Sequence, residues 1–435
     1  MYLGLDIGTT SVCAVVLDKN GNTVYTATRP NTFGYEKGVM RMQDAEGIYA
    51  LCEGIYREVY EKFRPVSIGV SGQMHGILYL GKDGKAVSPL YSWQDGRGNL
   101  PYKDGTYASL LSAKTGYAMA SGFGGTTLFY DTVEKNLPPA AVTFATVGDY
   151  IAMRLVGRNS PLLNNTCAAS VGLFDIEKGT WDEGAILTAG LSPAFFPTVT
   201  ADVAPLGQTA EGVTVYTAVG DNQASVYGAV KDSESFLVNV GTGSQISVIT
   251  DTFVRPPVGE VRPFLHGAFL VAGCPLCGGY SYRLLKEFYE SVTGAPVDYA
   301  RLNAWAREAK GKDAPTVLPQ FRGTRSNPEA RASVTGLSEK NFNAPALTLG
   351  VLKGISRELY DFYTAFEPLV GKKARLVGAG NAVRMNPVLR EIIEEDYGLP
   401  LAVPAHTEEA AFGAALAAAE AFEGRSLKEF IQYER

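Results

Sequence analysis

The chain is poor in the residues that build disulfide scaffolds and metal centres, with 5 cysteines and 3 histidines among 435 residues. So few cysteines in so long a chain argue against a disulfide framework and suit a reducing compartment, so we expect a cytoplasmic protein. No apolar run approaches the roughly 18 residues of a membrane-spanning helix, and the first residues lack the basic and apolar regions of a signal peptide. The sequence therefore predicts no association with a membrane.

Positive charge is also scarce, because 39 Lys and Arg residues stand against 45 Asp and Glu residues, a net charge of −6. Without a basic run, the composition does not favour a nucleic-acid partner. A mildly negative protein can still bind an anion such as ATP, because loop amides and Mg²⁺ hold phosphates locally. We expect small-molecule ligands, and a monomer or a homodimer.

Several familiar catalytic motifs are missing. The chain has no H-E-x-x-H metalloprotease motif, no G-x-S-x-G nucleophile turn and no G-x-x-x-x-G-K-[ST] phosphate loop. It has one C-x-x-C pair, Cys274 and Cys277, but a zinc site needs four ligands and the only histidine near it in sequence is His266. A redox pair stays open, and we favour small residues in a tight loop before a helix.

The spacing of apolar residues predicts the same succession of elements in both halves of the chain. Each succession has two strands joined by a Gly-Thr turn, then a helix and a further strand, and the first half adds a third strand before its helix. In the first half the elements are expected at residues 2–7, 12–17, 22–29, 43–63 and 66–70. In the second half they are expected at residues 235–240, 245–250, 349–363 and 374–377, with a helix at 386–397.

The length of the chain suits two domains rather than one core. The polar segment from Val230 to Ser235 lacks periodicity and marks the boundary. We therefore predict an N-terminal domain over residues 1–230 and a C-terminal domain over residues 235–422, with a cleft between them.

The two Gly-Thr turns are the first candidate site. Asp6-Ile-Gly-Thr-Thr-Ser11 and Asn239-Val-Gly-Thr-Gly-Ser244 align position for position. Glycine lets the backbone approach a phosphate, successive N–H groups form an anion nest, and hydroxyls add donors. A plain hairpin is the alternative for one such turn, but two at matching places favour phosphate binding. The predicted phosphate residues are Gly8, Thr9, Thr10, Ser11, Gly241, Thr242 and Gly243, and the Asp6 carboxylate could hold Mg²⁺ through water.

A third glycine-rich turn, Val377-Gly-Ala-Gly-Asn381, follows a predicted strand and precedes a helix that begins near Asn386. A strand, a glycine-rich turn and a helix N-terminus together suit a nucleotide, although such turns are common without one. The residues predicted to contact the nucleotide here are Gly378, Gly380, Asn381 and Asn386.

Asp221 lies in Gly220-Asp221-Asn222-Gln223, between an apolar strand and a predicted helix. Its position alone favours a helix N-cap, which aspartate forms well. The alternative is a general base, because a kinase must remove a proton from the attacking hydroxyl and one carboxylate within hydrogen-bond reach suffices.

Two polar segments follow strands in the first half of the chain, Ser71-Gly-Gln-Met-His75-Gly76 and Trp93-Gln-Asp95-Gly-Arg97. Their polar side chains supply the directional donors and acceptors that sugar hydroxyls need, and tryptophan offers an apolar face. A structural histidine and an ordinary turn are the alternatives. The predicted sugar-binding residues are Gln73, Met74, His75, Trp93, Asp95, Arg97 and Asn222.

Taken together, these motifs resemble those of the FGGY carbohydrate kinases, over nearly the whole chain. Further matches are Asn386-Pro387 and Glu409-Ala-Ala-Phe-Gly-Ala-Ala415. Within the family, Gly69-Val-Ser-Gly-Gln-Met-His-Gly76 and Gly122-Phe-Gly124 are most similar to the sedoheptulokinases and next to the xylulokinases. The resemblance implies an α/β fold of two ribonuclease-H-like domains, as in actin-like ATPases, with sugar mostly on the N-terminal domain and ATP chiefly on the C-terminal one.

The same resemblance implies transfer of the γ-phosphate of ATP to the terminal hydroxyl of a ketose, with Asp221 as general base and Asp6 near Mg²⁺. Two positions depart from the family pattern: Cys13 stands where relatives often have Lys or Arg, and Asn165 lies in a motif that usually carries Asp. A non-catalytic ATP-gated binding protein, like actin or a heat-shock ATPase, and a sugar sensor are therefore kept as alternatives.

Overall fold

The computed structural model describes residues 1–325 and 327–434, and it divides the chain into two compact units. Unit 1 comprises Met1–Gly228, Arg262–Ala268 and His406–Ile431. Unit 2 comprises Ala229–Val261, Phe269–Ala405 and the chain from Gln432 on. Both units therefore contain segments that are distant in sequence. Among the described helices, none is long and apolar enough to cross a membrane.

Unit 1 is built on a 7-stranded sheet, with smaller sheets of two or three strands beside it. The strands of this unit are β1 (Tyr2–Ile7), β2 (Ser11–Leu17), β3 (Thr23–Pro30), β4 (Gly34–Lys37), β5 (Met40–Gln43), β6 (Ser67–Gly72), β7 (Leu78–Leu80), β8 (Leu90–Tyr91), β9 (Pro101–Tyr102), β10 (Gly105–Thr106), β11 (Thr143–Ala145), β12 (Leu162–Asn164), β13 (Phe174–Asp175), β14 (Thr180–Trp181), β15 (Thr198–Thr200), β16 (Pro205–Gln208), β17 (Thr214–Tyr216) and β18 (Val219–Gly220). The order in the 7-stranded sheet is β16-β17-β6-β1-β2-β3, with β18 also paired to β6. Its first helices are α1 (Ala45–Phe63), α2 (Tyr107–Thr115), α3 (Gly124–Val133), α4 (Val147–Leu155), α5 (Asn165–Val171), α6 (Glu183–Ala189) and α7 (Asp221–Ala229).

Helix α1 shows why the sequence folds locally as predicted. Asp44 caps its first turn by accepting a hydrogen bond from the Glu46 N–H, and Arg64 ends it in the left-handed region. Ile48, Ile55 and other apolar residues at helical spacing are buried against the sheet. The predicted helix over 43–63 is thus confirmed, as are the three strands before it.

Unit 2 repeats the arrangement with a 6-stranded sheet. The strands of this unit are β19 (Ser235–Val240), β20 (Ser244–Thr250), β21 (Glu260–Pro263, whose last two residues fall in unit 1), β22 (Phe269–Gly273), β23 (Thr316–Leu318), β24 (Ser333–Thr335), β25 (Arg375–Ala379) and β26 (Leu401–Ala402). The order in the 6-stranded sheet is β21-β22-β20-β19-β25-β26. Its helices are α8 (Gly279–Thr293), α9 (Tyr299–Ala309), α10 (Ala344–Val370), α11 (Asn381–Met385) and α12 (Pro387–Tyr397). In both units the first two strands are antiparallel and the first pairs in parallel with a later one.

Helix α10 extends beyond the predicted residues 349–363 at both ends. The prediction was too short because apolar spacing marks the middle of a helix and not its ends. Asn343 caps it through a hydrogen bond from the Ala346 N–H, and Pro345 occupies its first turn, where a missing N–H costs nothing. At its other end Gly371 closes the helix with a positive φ. The predicted tight loop with Cys274 and Cys277 is confirmed between β22 and α8.

The last helix, α13 (Glu409–Glu423), belongs to unit 1 and packs on β1 and β6. Its approach depends on glycine: a Cβ at Gly4 would lie 1.9 Å from the Ala411 carbonyl oxygen, and one at Gly69 would lie 1.9 Å from that of Ala414. The alanine-rich helix face therefore meets a strand surface without side chains, which brings the two backbones close together. Unit 1 thereby includes part of the segment predicted for the C-terminal domain.

Candidate functional site

The candidate site in unit 1 lies at the carboxyl ends of parallel strands. Asp6 of β1 is paired with Ser71 of β6, and Val219 of β18 is paired with the same serine. The chain leaves these three strands at one edge of the sheet, where ligands commonly bind in open α/β sheets. The edge carries Asp6, the first Gly-Thr hairpin, Gln73 with the residues after it, and Asp221.

Asp221 is the first residue of α7, and its Oδ1 accepts a hydrogen bond of 2.7 Å from the Asn222 N–H. Burial raises the pKa of Asp221 to about 7, and the negative charge of Asp6 adds to this effect. The Asn222 N–H and the Arg262 guanidinium act in the opposite direction and lower the pKa. A carboxylate that titrates near neutral pH can accept a proton from a hydroxyl.

Asp6 faces the same region, and its Oδ1 accepts a 2.6 Å hydrogen bond from the Ser71 hydroxyl. Burial raises the pKa of Asp6, the Ser71 hydroxyl lowers it, and the charge of Glu408 raises it further. Asp6 and Asp221 repel each other, which favours a cation beside them. Among the described residues, no group of three or more His, Cys, Asp and Glu side chains could hold a metal. The Asp6 carboxylate nevertheless fits Mg²⁺, which commonly takes one or two carboxylates together with phosphate oxygens and water.

The first hairpin is closed by a 2.9 Å hydrogen bond from the Gly8 N–H to the Ser11 carbonyl. Thr9 is fixed by side chains: its hydroxyl accepts from the Trp93 indole N–H at 3.0 Å and donates to Gln73 Oε1 at 3.3 Å. Gln73 donates to Gln43 Oε1 at 2.6 Å, and Gln43 donates back to the Thr9 carbonyl at 2.8 Å. The hairpin is therefore joined to two of the predicted sugar-binding residues, while Thr10 stays exposed.

His75 lies at a strained position, with a positive φ of 73°. Its backbone N–H donates to the Ser170 hydroxyl at 3.0 Å, its Nδ1 lies 2.7 Å from the Ser170 carbonyl, and its ring stacks on Phe123 at 4.4 Å. Met74 is buried against Gly220, the residue before Asp221. Such over-determined backbone strain is typical of functional sites.

Asp95 and Arg97 occupy a buried ion-pair cluster rather than an open surface. Each is 2% exposed, and Arg97 pairs with Asp95 at 2.8 Å and with Asp131 at 2.6 Å while lying over the Tyr91 ring. The cluster holds the turn that carries Trp93, which is 46% exposed. The Asn222 side chain accepts a 2.7 Å hydrogen bond from Arg262 Nη1.

Unit 2 contains a cavity of about 560 Å³, a size suited to a small organic ligand. Four of the predicted nucleotide residues line it, namely Gly241, Thr242, Asn381 and Asn386. Its apolar and aromatic walls suit a purine base, and polar groups stand among them. These walls include Tyr280, Tyr282, Tyr299, Leu352, Ile355 and Leu389, with Arg283 and Asn303 beside them.

The second hairpin is held by backbone groups. The Gly278 and Tyr280 N–H groups donate to the Thr242 carbonyl at 3.0 Å, and the Gly279 N–H donates to the Gly241 carbonyl at 2.7 Å. The Gly243 carbonyl accepts from the Gly241 N–H at 2.9 Å. Gly241 and Thr242 of this hairpin border the cavity, and the hydrogen bonds given above for its tip are all between backbone groups.

The third glycine-rich turn divides into packing and cavity residues. Gly380 has a φ of 84°, and a Cβ there would lie 2.5 Å from Asn239 Oδ1. Gly378 faces Leu401 and Val383 inside the unit, and the Asn386 side chain caps α12 by accepting from the Val388 and Leu389 N–H groups. Asn386 thus has a structural role in addition to lining the cavity.

Sequence reasoning missed several residues of these sites. Arg262 lies on a segment far along the chain from Asp221, and nothing in the sequence pattern links them. Gln43 ends a short strand, and Tyr282, which donates to Asn303 Oδ1 at 2.8 Å, belongs to a helix whose amphipathic pattern does not distinguish cavity from core. Both departures from the family pattern are buried: burial raises the pKa of Cys13 to about 12, and Asn165 is 6% exposed.

The sequence matches a known family over nearly its whole length. Residues 1–238 match the N-terminal domain of the FGGY family of carbohydrate kinases, and residues 237–422 match its C-terminal domain. The chain is 28% identical to sedoheptulokinase from Mus musculus, covering 95% of this chain and 96% of that protein. It is 25% identical to xylulose kinase from Klebsiella pneumoniae, covering 91% and 86%.

Solved structures share the fold at lower identity. Xylulose kinase from Rhodospirillum rubrum superposes with a TM-score of 0.87 at 22% identity, covering 100% of this chain and 93% of that one. Glycerol kinase from Plasmodium falciparum, solved with ADP, superposes with a TM-score of 0.81 at 16% identity, covering 98% and 90%. The predicted fold class of two ribonuclease-H-like domains, as in actin-like ATPases, is confirmed.

Proposed function

We propose that this chain, which belongs to the FGGY family of carbohydrate kinases and is a phosphotransferase, transfers the γ-phosphate of ATP to the terminal hydroxyl of a ketose. The substrate that we favour is sedoheptulose. The observation that carries the proposal is Asp221, a partly buried carboxylate whose pKa desolvation raises to about 7, next to the charge of Asp6 at the carboxyl edge of the unit 1 sheet. A proton acceptor beside a cation site is what transfer to a hydroxyl requires.

In this proposal the ketose lies at the edge of unit 1. Trp93 offers its exposed face to the carbon skeleton, and Gln73, His75 and Asn222 supply donors and acceptors to the hydroxyls. Met74 packs beside Gly220 and limits the space next to Asp221. Asp95 and Arg97 act by holding the Trp93 turn, since both are paired inside the buried cluster.

The nucleotide lies in the cavity of unit 2, with its base against the aromatic and aliphatic walls and its phosphates at the second hairpin. Asn239, which precedes this hairpin, is uncharged and therefore does not repel phosphates. The first hairpin, Gly8 to Ser11, offers N–H and hydroxyl groups of the same kind for a phosphate.

Mg²⁺ would be held by Asp6, through water, and by phosphate oxygens, and it would offset the charge of the transferring group. Asp221 takes the proton of the attacking hydroxyl as the new P–O bond forms, and ADP leaves with the electrons of the broken bond. The Ser71 hydroxyl fixes the Asp6 carboxylate through its 2.6 Å hydrogen bond.

Sedoheptulose is favoured because the sedoheptulokinases of Mus musculus and Homo sapiens are each 28% identical over 95% of this chain. D-xylulose is the second candidate, on the likeness to the xylulose kinase of Klebsiella pneumoniae and to xylulose kinase structures. The two sugars differ in length, so we expect the space available beside Asp221 to decide between them.

A coupled assay of ADP release with sedoheptulose, D-xylulose, D-ribulose, D-fructose and glycerol tests the proposal. We expect the highest kcat/KM with sedoheptulose, and a product whose phosphate is on C7 by phosphorus–carbon NMR coupling. A higher kcat/KM with D-xylulose would mean that D-xylulose is the substrate, while the proposed kinase reaction would stand. ATP turnover that no ketose stimulates would refute the proposed function.

A further inference from the structure

Three polar side chains in the wall of the unit 2 cavity form a hydrogen-bond relay, which begins at Asn386. The Oδ1 atom of Asn386 accepts from the Val388 and Leu389 N–H groups at 3.1 and 3.0 Å. Backbone N–H groups can only donate, so the Asn386 amide must turn its oxygen toward the start of α12. Its Nδ2 group is therefore left as a donor to another partner.

The Tyr282 hydroxyl is the second member of the relay. Burial raises the pKa of Tyr282, and a hydrogen bond with the Asn386 side chain acts in the opposite direction and lowers it. The hydroxyl donates to Asn303 Oδ1 at 2.8 Å. A hydroxyl has one hydrogen, and Asn386 offers a donor to it, so that hydrogen goes to Asn303. The relay thus has one direction, from α12 through Tyr282 to Asn303.

Asn303 ends the relay on α9 with its oxygen occupied by the Tyr282 hydroxyl. Its Nδ2 group has no acceptor among the residues that the structure describes. Ala300 and Asn303, three residues apart on one face of α9, line the cavity, whereas Leu302 and Ala306 are fully buried in the core. Asn303 therefore presents an N–H donor, and not an acceptor, on the cavity wall.

We propose that Asn303 selects the base of the nucleotide by donating an Nδ2 hydrogen to the N1 nitrogen of adenine. The inference rests on the proposed function, in which the nucleotide lies in this cavity. N1 is an acceptor in adenine, but it carries a hydrogen in guanine and in hypoxanthine. A fixed donor therefore pairs with adenine, whereas with guanine two donors face each other and both lose their hydrogen bonds to water.

The aromatic part of the wall cannot make this distinction. Tyr282 and Tyr299 stack with their ring centroids 5.8 Å apart, and stacking on aromatic rings tolerates any base. Selection therefore needs a polar group of fixed direction, and Asn303 is such a group.

Tyr282 acts in this proposal as a positioning residue. An unrestrained asparagine could bind adenine through its oxygen and nitrogen together, or turn over and accept from guanine. While the Tyr282 hydroxyl holds the Asn303 oxygen, neither is possible. Loss of that hydroxyl frees the amide to turn, so it should weaken the preference for adenine. A merely structural role for Tyr282 would leave the preference unmoved.

Calorimetric titration of the full chain with ADP, GDP and inosine diphosphate, each with Mg²⁺, tests the inference without turnover. We expect the wild type to bind ADP about 10- to 100-fold more tightly than GDP or inosine diphosphate. The ratio of ADP to GDP affinity should fall by about tenfold or more in Asn303→Leu and by about 3- to 10-fold in Tyr282→Phe. In Asn303→Asp it should reverse, because a carboxylate accepts from the guanine N–H groups.

Ala304→Asp is the matched control for the added charge, because Ala304 is the next residue of α9 and is exposed. The new carboxylate should weaken all the diphosphates by the same factor, since they carry the same phosphates. The ratio of ADP to GDP affinity should therefore stay at the wild-type value. For the same reason, charge repulsion cancels in the ratio measured for Asn303→Asp.

An unchanged ratio in Asn303→Leu and Asn303→Asp, with both affinities falling together, would overturn the inference and make Asn303 a structural residue. Inosine diphosphate binding as tightly as ADP would also overturn it, because the 2-amino group would then exclude guanine. If Asn303→Leu does not fold, Asn303→Asp and Tyr282→Phe give the same comparison.

The same titrations separate this inference from the proposed function. If the expected ratios are found and no ketose is phosphorylated, the selection of adenine by Asn303 stands and the proposed kinase reaction fails. If the wild type binds none of the diphosphates, the cavity is not a nucleotide site and both proposals fail.

Discussion

Units 1 and 2 present the same strand–turn–strand hairpin with opposite chemistry around it. In unit 1 the hairpin follows Asp6, and Asp221 lies at the same sheet edge, so the site gathers negative charge. In unit 2 the matching position is Asn239, and the neighbouring parallel strand leads to Gly380 and Asn381. In our proposal, one repeated backbone arrangement thus carries an acid–base site in unit 1 and an uncharged site for a polyanion in unit 2.

The two hairpins also differ in how they are held. The tip of the first is fixed by the side chains of Trp93, Gln73 and Gln43. The second is fixed by backbone N–H groups at the start of α8. Side chains at the first hairpin connect it to the proposed sugar site, whereas backbone contacts at the second leave room for the cavity. The two units share the same fold, and we propose that a few side chains determine which ligand each unit binds.

The largest expected effect comes from removing the Asp221 carboxylate of unit 1. Asp221→Ala should lower kcat by about 10²- to 10⁴-fold, because the variant loses the carboxylate that we propose accepts the hydroxyl proton. ADP affinity and the thermal midpoint should stay near those of the wild type. Steady-state kinetics and calorimetric titration measure the two effects. Asp221→Asn, which can still accept the Asn222 N–H, is the control, and turnover within tenfold of wild type in either variant would contradict the assignment.

The residues that precede the two hairpins, Asp6 in unit 1 and Asn239 in unit 2, can be exchanged to test how charge distinguishes the units. Asp6→Asn gives unit 1 the amide that unit 2 has, and the Mg²⁺ concentration for half-maximal activity should rise about 10- to 100-fold. The fall of kcat/KM on the acid side of its pH profile should also move to lower pH. The reason is that the Asp6 charge, which raises the pKa of Asp221, is gone. The reverse change, Asn239→Asp, should weaken ADP binding by repulsion without moving that fall. Equal Mg²⁺ dependence in wild type and Asp6→Asn would remove Asp6 from the metal site.

The smallest expected effect concerns the backbone of unit 2. Gly380→Ala places a Cβ 2.5 Å from Asn239 Oδ1 and 2.6 Å from the Val240 carbonyl, at a φ of 84°. We expect a loss of about 1 to 3 kcal/mol in the free energy of unfolding, measured in urea. Gly241→Ala is the comparison, since the nearest neighbour of its Cβ is 4.0 Å away. Equal stability of the two variants would show that Gly380 is not needed for its conformation.

Local patterns in the sequence predicted the elements of the site better than its assembly. The two hairpins follow from glycine, threonine and alternating apolar residues, and α1 follows from its helical spacing. The contact of Arg262 with Asn222 could not be predicted, because it depends on where a distant segment packs. Likewise Gly4 and Gly69 read as ordinary strand residues, although both are needed for the approach of α13.

The two proposed sites also differed in what the sequence revealed. In unit 1, Asp221 was a helix cap or a base from its position alone, and its burial and the charge of Asp6 favour the base. In unit 2 the glycine turns were apparent, but Tyr282 and Asn303 were not, because helical periodicity is the same for a core face and a cavity wall.

Hydrogen–deuterium exchange with each ligand alone tests most directly whether the sugar binds to unit 1 and the nucleotide to unit 2. The account predicts that ADP with Mg²⁺ protects residues 239–244 and 378–386, and that sedoheptulose protects residues 71–76, 93–97 and 221–223. Protection of 71–76 by ADP with none at 239–244, or of the unit 2 cavity by the sugar, would contradict it.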